Sequence, residues 1–160
     1  MVSRCKTVAL IVAAGRGLRA GAVDLPKQYR TLTDGETVLT KTLSTFTSHP
    51  EIDAVLTVIH VDDTENYQQA STQLIKTSNK LLPPVIGGAT RQESVRNGLE
   101  ALCDHAPEYV LVHDAARPFV TECLISEIIR ALDTAACALP VVEVTDTIKQ
   151  IEVTRDGRTM

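Results

Sequence analysis

Runs of strand length that are apolar at nearly every position constrain this chain more than any other feature. The first is Val8-Ala9-Leu10-Ile11-Val12; others follow at Ala54 to Ile59, Val85-Ile86, Tyr109-Val110-Leu111-Val112-His113 and Cys137-Ala138-Leu139-Pro140-Val141-Val142. A strand that is apolar on both faces must be covered on both, which a parallel sheet flanked by helices achieves. Helical spacings separate the runs. Leu39, Leu43 and Phe46 share one face, a polar helix spans about Thr64 to Lys76, and Val95, Leu99 and Leu102 form a stripe on a helix from about Arg91 to Cys103. Leu124, Ile125, Ile128, Ile129 and Leu132 mark a last helix, opened by the capping residue Thr121. The alternation predicts an α/β fold, a three-layer α/β/α sandwich around a mostly parallel sheet.

The 160 residues make one ordinary domain, spanning 1–160, with no internal repeat, low-complexity tract or dividing linker. At this size a compact fold hides roughly 68–70% of the unfolded chain's surface, so neither metal nor disulfide support is needed. The last stretch differs. Alternation from Val144 to Val153 and the Asp156-Gly157 turn signal predict a protruding β-arm over about 144–160. Its return strand would begin at Arg158 and stops at Met160, so the expectation is a natural chain that continues and a domain lacking its C-terminal part.

Composition excludes several function classes. A net charge of -4, with cations scattered among acids, argues against a nucleic-acid surface, and two Phe, three Tyr and no Trp argue against a base-stacking platform. No window holds 18 consecutive apolar residues, and Met1 to Thr7 is too short for a targeting segment, so no membrane partner and a cytoplasmic location are expected. Cys5, Cys103, Cys123 and Cys137 contain no CxxC pair and are expected as buried, reduced thiols.

Three segments that follow apolar strands carry the chemistry. The first is Ala13-Ala14-Gly15-Arg16-Gly17-Leu18-Arg19-Ala20-Gly21, followed by Pro26-Lys27-Gln28-Tyr29. Glycines let backbone N–H groups converge on phosphate oxygens, and Arg19 and Lys27 add charge. The same residues also suit an exposed loop with solvated cations. The position after the first strand favours a ligand, because α/β sheets bind at the carboxyl ends of their strands. A Walker A loop is excluded: the fifth residue after Gly15 is Ala20, and no other window fits. Gly15, Gly17 and Ala20 match the loose dinucleotide fingerprint, but Gly21 and Pro26 interrupt the helix that fingerprint requires, and the second strand ends far downstream at His60.

The second segment runs from Gly87-Gly88 through Ala89, Thr90, Arg91, Gln92, Glu93 and Ser94 into a helix. Thr90 and Glu93 fit a capping box, whereas Arg91 and Ser94 could face an anion or a base edge at the helix start. The third is His113-Asp114-Ala115-Ala116-Arg117-Pro118. Asp114 could hold Mg²⁺, which needs one or two carboxylates beside substrate phosphates, or could cap a turn with Arg117 pairing it. His113 reads as a supporting or core residue, and His49, His60 and His105 have no partner motif.

Ala13-Ala14-Gly15-x-Gly17-x-Arg19, Pro26-Lys27-Gln28-Tyr29, Gly87-Gly88 through Arg91 and Ser94, His113 through Pro118, and Asp146-Thr147-Ile148-Lys149, in this order, resemble the 2-C-methyl-D-erythritol 4-phosphate cytidylyltransferases. Ribitol-5-phosphate cytidylyltransferases look similar across the same segments. The resemblance covers essentially all of this chain but about two thirds of the family's domain. It implies a Rossmann-like nucleotidyltransferase sandwich, homodimeric through the β-arm. The implied reaction joins CTP to methylerythritol phosphate and releases pyrophosphate, in non-mevalonate isoprenoid synthesis.

By that resemblance Ala13, Ala14, Gly15, Gly17, Arg19 and Lys27 would hold the CTP phosphates. Gly87, Gly88 and Ser94 would contact cytidine with Arg91 alongside; Asp114, Ala115, Arg117 and Thr147 would face methylerythritol phosphate, Asp114 also near the metal. Arg19, Lys27 and Asp114 would be catalytic. Ala20 stands where the family often has Met, and the family's later Arg, Thr and Lys have no counterpart before Met160. Some members are fused to methylerythritol cyclodiphosphate synthase. The expected chemistry is in-line attack by a substrate phosphate oxygen on the α-phosphorus of CTP, with no nucleophilic side chain. The competing readings are a non-catalytic nucleotide-binding module and a dinucleotide oxidoreductase.

Overall fold

In the computed structural model, residues 6–16 and 25–147 are described. β1 (Thr7–Ala13) is central, pairing in parallel with β2 (Ala54–Ile59) on one side and β4 (Tyr109–Asp114) on the other. β3 (Val85–Ile86) extends the sheet beyond β2, giving the order β3-β2-β1-β4, parallel throughout. The winding reverses between β1 and β4. In an open α/β sheet that switch point leaves a crevice at the carboxyl ends of the strands.

Alternation along β1 divides the core into two layers. Ala9, Ile11 and Ala13 pack under Leu39, Leu43 and Phe46 of α1 (Val38–Ser48), Tyr67 and Ala70 of α2 (Thr64–Thr77), and Ile125 and Ile129 of α4 (Glu122–Leu132). Val8 and Leu10, with Leu56 and Val58, face α3 (Arg91–Ala101) and Leu102. The sandwich expected from the doubly apolar strands is therefore present. Thr37, Thr90 and Thr121 cap α1, α3 and α4 by accepting backbone N–H bonds, and Thr90 with Glu93 completes a capping box.

Several expectations are corrected. Leu99 is exposed, because α3 lies on the sheet through Ser94 and Gly98, both buried. A Cβ at Gly98 would stand 2.5 Å from Leu10 Cδ1 and 2.9 Å from Val58 Cγ2, an approach only glycine permits. Cys103, Cys123 and Cys137 are exposed rather than buried; Cys103 and Cys123 lie at helix positions turned away from the sheet, and Cys5 is outside the described residues. The run Cys137 to Val142 forms no strand. Leu139, Val141 and Val142 are largely exposed, Pro140 has no N–H to donate, and no ladder partner lies beside them among the described residues. Of the β-arm, only 144–147 is described, as irregular chain.

His49, given no partner by spacing, sits in a polar cluster. Its Nδ1 accepts from the Glu51 N–H, its Nε2 faces the Glu122 carbonyl and Ser126 Oγ at 3.2 Å each, and Ser126 Oγ donates to Glu51. This serine–histidine contact is part-buried between the end of α1 and the start of α4, at the amino ends of the strands. It ties two helices together, away from the strand tips.

Candidate active site at the strand tips

Beyond Ala13 the chain leaves the sheet as Ala14-Gly15-Arg16, and a second segment holds it from below. Lys27–Tyr29 forms a short 3₁₀ turn in which Gln28 and Tyr29 are buried and Lys27 is exposed. Gln28 Nε2 donates to the Ala13 carbonyl at 2.6 Å and the Gly15 carbonyl at 3.1 Å. Tyr29 anchors the turn in the core, where burial, first, and the nearby Asp63 charge, second, hold its phenol well above the usual range. Lys27 makes no ion pair among the described residues. A Cβ on Gly15 would meet nothing within 4 Å, so the loop is open on that side. Gly17 and Arg19 lie outside the described residues.

Arg16 bends toward β2 instead of the crevice. Its guanidinium contacts Asp62 at 2.6 Å and the buried Asp63 at 3.3 Å, bracing the loop against the segment that follows β2. Nothing in the spacing signals this pair, which joins residues 46 and 47 positions apart.

The β3 tip approaches the β1 tip closely. A Cβ on Gly87 would stand 2.6 Å from both Ala14 Cβ and Ser94 Oγ, and one on Gly88 would stand 2.4 Å from Glu93 Cβ. Ser94 is buried; its hydroxyl accepts from the Gly88 N–H at 3.1 Å and donates to the Thr90 carbonyl at 2.9 Å. It therefore shapes the glycine turn. Asn97 adds a bond to the Ile86 carbonyl at 3.0 Å, a contact that spacing did not single out.

At the β4 tip Asp114 lies between two arginines. Arg91 places Nε and Nη2 at 3.0 and 2.9 Å from Oδ1, and Arg117 places Nε 3.3 Å from Oδ2. The Arg117 N–H also donates to the Asp114 carbonyl at 3.0 Å, so the turn with Arg117 pairing is present. Arg91, expected to face an anion or a base edge alongside the cytidine contacts, links the start of α3 to β4. Two guanidiniums around one carboxylate leave the cluster net cationic, and all three side chains are at least a third exposed. Exposed pairs contribute about 0–1 kcal/mol, so an arriving phosphate could recruit either guanidinium at small cost to the fold.

Ala115 is in the core, not at the crevice. Its N–H donates to the Val12 carbonyl and its own carbonyl accepts from Thr42 Oγ1, both at 3.0 Å. His113 supports the turn: Nε2 donates to the Arg117 carbonyl at 3.0 Å, the ring is 4.9 Å from Phe46, and burial holds its pKa below the usual 6.5. Thr147 is exposed in irregular chain, and no hydrogen bond among the described residues joins it to the tips. Beside the cationic cluster an open, largely apolar cleft of about 1080 Å³ runs between β4, α4 and residues 136–140. No group of three His, Cys, Asp or Glu among the described residues is placed to hold a metal.

Residues 7–157 match the family model of IspD, 2-C-methyl-D-erythritol 4-phosphate cytidylyltransferase. The chain is 53% identical over 152 residues, 95% of its length, to the bifunctional enzyme IspD/IspF of Nitrobacter winogradskyi, and 55% identical over 146 residues to that of Rhodopseudomonas palustris strain BisB5. It spans 36% and 35% of those relatives' lengths. Among solved structures, 4-diphosphocytidyl-2C-methyl-D-erythritol synthase from Anaerococcus prevotii superposes with a TM-score of 0.74 at 31% identity, over 99% of this chain and 63% of that one. The Francisella tularensis 2-C-methyl-D-erythritol 4-phosphate cytidylyltransferase gives 0.68 at 28% identity, over 97% of this chain and 69% of that one.

Proposed function

Because this chain belongs to the 2-C-methyl-D-erythritol 4-phosphate cytidylyltransferase family, we propose that it transfers the cytidylyl group of CTP to 2-C-methyl-D-erythritol 4-phosphate. The products are 4-diphosphocytidyl-2-C-methyl-D-erythritol and pyrophosphate, in non-mevalonate isoprenoid biosynthesis. The observation that carries the reading is the convergence at the switch point: an open glycine loop at the β1 tip, a glycine turn packed on it, and two arginines around Asp114.

The chemistry needs little more than placed charge. A phosphate monoester has a second pKa near 6, so its oxygen is already anionic at neutral pH and a general base adds little. That oxygen attacks the α-phosphorus in line, the bond to the bridging oxygen breaks, and pyrophosphate leaves with the electron pair. The barrier is repulsion between anions and charge growing on the leaving group, which fixed cations and backbone N–H groups offset. Lys27 and Arg19 serve the triphosphate in this reading, with the backbone of Ala13 to Gly17. Gly87, Gly88 and Ser94 form the cytidine side, and Arg91, Arg117 and Thr147 the acceptor side.

The donor set fits a phosphate-borne Mg²⁺. Such an ion keeps most of its waters and needs one protein carboxylate, which Asp114 offers. When bound, it would neutralise phosphate charge. Asp114 would hold it by releasing part of its contact with Arg91 or Arg117.

Pairing into a homodimer through residues 144–160 belongs to the same reading, supported by the exposed apolar run Leu139, Val141, Val142 and Val144. A cytoplasmic location is supported by three exposed free cysteines, which suit a reducing compartment. No helix among the described residues is long and apolar enough to cross a membrane. The deciding experiment is pyrophosphate release by the full-length protein with CTP and Mg²⁺, comparing methylerythritol phosphate with ribitol 5-phosphate. Preference for the first supports the assignment. Preference for ribitol 5-phosphate moves it to the other cytidylyltransferases, and CTP binding without release leaves a nucleotide-binding module.

A further inference from the structure

We propose that Gln28 is a positioning residue for the triphosphate, acting through the backbone of the glycine loop; the inference rests on the function proposed above and deepens it. Both of its partners are carbonyl oxygens, Ala13 at 2.6 Å and Gly15 at 3.1 Å, so the group facing them has to be the amide nitrogen. Gln28 is 4% exposed, and its two bonds are made where little water competes. They fix two carbonyls, two residues apart, on the inner side of the loop.

That arrangement has a consequence for the opposite side. A peptide unit points its C=O and N–H in opposite directions, so holding the carbonyls of Ala13 and Gly15 inward turns the N–H groups of Ala14 and Arg16 outward. Gly15, which lies between them, has open space where a Cβ would stand, so nothing crowds the loop there. Amides held in this way form an anion-binding concavity before any anion arrives, with no reorganisation left for the moment of binding.

The same side chain also places Lys27. Gln28 and Tyr29 point into the protein within one 3₁₀ turn, and Lys27, the residue before them, is left exposed. The Tyr29 N–H donates to the Pro26 carbonyl at 3.0 Å and the Arg30 N–H to the Lys27 carbonyl at 3.2 Å, closing the turn. Gln28 thus joins the loop that offers amides to the turn that offers an ammonium group. Its side chain reaches no ligand itself.

The test uses the full-length protein and two substitutions. Gln28→Met keeps the volume and removes both donors; Gln28→Glu keeps the shape and places a carboxylate against two carbonyls. CTP binding with Mg²⁺ is measured by calorimetry, KM for CTP and for methylerythritol phosphate by pyrophosphate release, and folding by circular dichroism. Losing two hydrogen bonds is expected to weaken CTP binding and raise its KM by roughly 10- to 100-fold, more for Glu than for Met. KM for methylerythritol phosphate is expected to stay within about twofold, a split that general loosening of the fold would not produce. If Gln28→Glu does not fold, Gln28→Met decides. Folded variants that bind CTP as tightly as wild type, or that raise both KM values equally, overturn the inference. Wild-type protein that binds no CTP overturns the functional reading itself, and that result is read before any variant is made.

Discussion

At the β1 and β3 tips, apart from the Arg16 ion pair with Asp62 and Asp63, the groups that set the backbone are buried and uncharged. The Gln28 amide, the Ser94 hydroxyl and a glycine that leaves no room for a methyl group hold two loops together. At the β4 tip, across the same crevice, Arg91, Asp114 and Arg117 form an exposed set of ion pairs. The first region is fixed by packing and hydrogen bonds, which resist rearrangement; the second is held by screened charge, which rearranges readily. A site that must grip a constant triphosphate and then accept and release a second anion can use both kinds of construction. In the proposed reaction the glycine side would set where the phosphorus sits, and the arginine side would adjust to what comes and goes.

The largest expected effect belongs to the exposed cation on the rigid side. Lys27→Ala removes a preorganised donor and is expected to lower the rate of pyrophosphate release by about 10²–10³. Its melting temperature should hardly move, because Lys27 is exposed and without an ion pair among the described residues. Near-wild-type turnover would remove Lys27 from the chemistry and leave the rigid side as scaffold alone.

Gly87→Ala attacks the packing of that side directly. The added methyl would stand 2.6 Å from Ala14 Cβ and Ser94 Oγ, and overpacking of this kind costs about 1–3 kcal/mol. Gly15→Ala is the partner experiment: its methyl meets nothing within 4 Å, so stability should stay within about 0.5 kcal/mol while CTP affinity falls. Urea denaturation beside CTP titration reads both. Equal destabilisation by the two substitutions would erase the distinction between the packed and open sides of the glycine tips.

Substitutions on the arginine side should separate function from folding. Arg91→Ala and Asp114→Asn are each expected to change stability by no more than about 1 kcal/mol, since the pairs are exposed. Asp114→Asn should nonetheless shift the Mg²⁺ concentration needed for half-maximal activity. An unchanged metal dependence would reduce Asp114 to the turn that it makes with Arg117.

The layers of the fold were legible because each followed from a local rule. Doubly apolar runs marked β1, β2 and β4, and Thr90, with Glu93 three residues on, and Thr121 marked helix starts. What escaped was settled by neighbours distant in sequence. Leu99 looked like part of a packing stripe, but Gly98 lets α3 come so close that the contact line runs through Ser94 and Gly98. The run Cys137 to Val142 has the composition of a strand, yet composition cannot supply a hydrogen-bonding neighbour. In the site, Lys27 and Asp114 were visible as charges after strands. The Gln28 contacts, the Arg16 brace and the Arg91–Asp114 link were invisible, because each depends on which loops the topology brings together.

The smallest effect tests whether the soft side has a firm base. His113 lies beneath the Asp114–Arg117 turn, donating to the Arg117 carbonyl, and burial lowers its pKa below 6.5. The unfolded chain therefore takes up this proton at a higher pH than the folded one. Between the folded value and 6.5 the unfolded state binds more protons, so stability rises with pH through that window and is lost as pH falls through it. Protonation does not remove the donor at Nε2, and the Asp114 charge favours the imidazolium, so the loss should be modest. Urea midpoints at pH 7.5 and pH 5.5, taken for wild type and His113→Gln, isolate it: part of the wild-type decline should vanish in the variant, which has no imidazole to bury. An identical decline in both would mean that the imidazole costs nothing to charge, and that the turn rests on its ion pairs from below as well as from above.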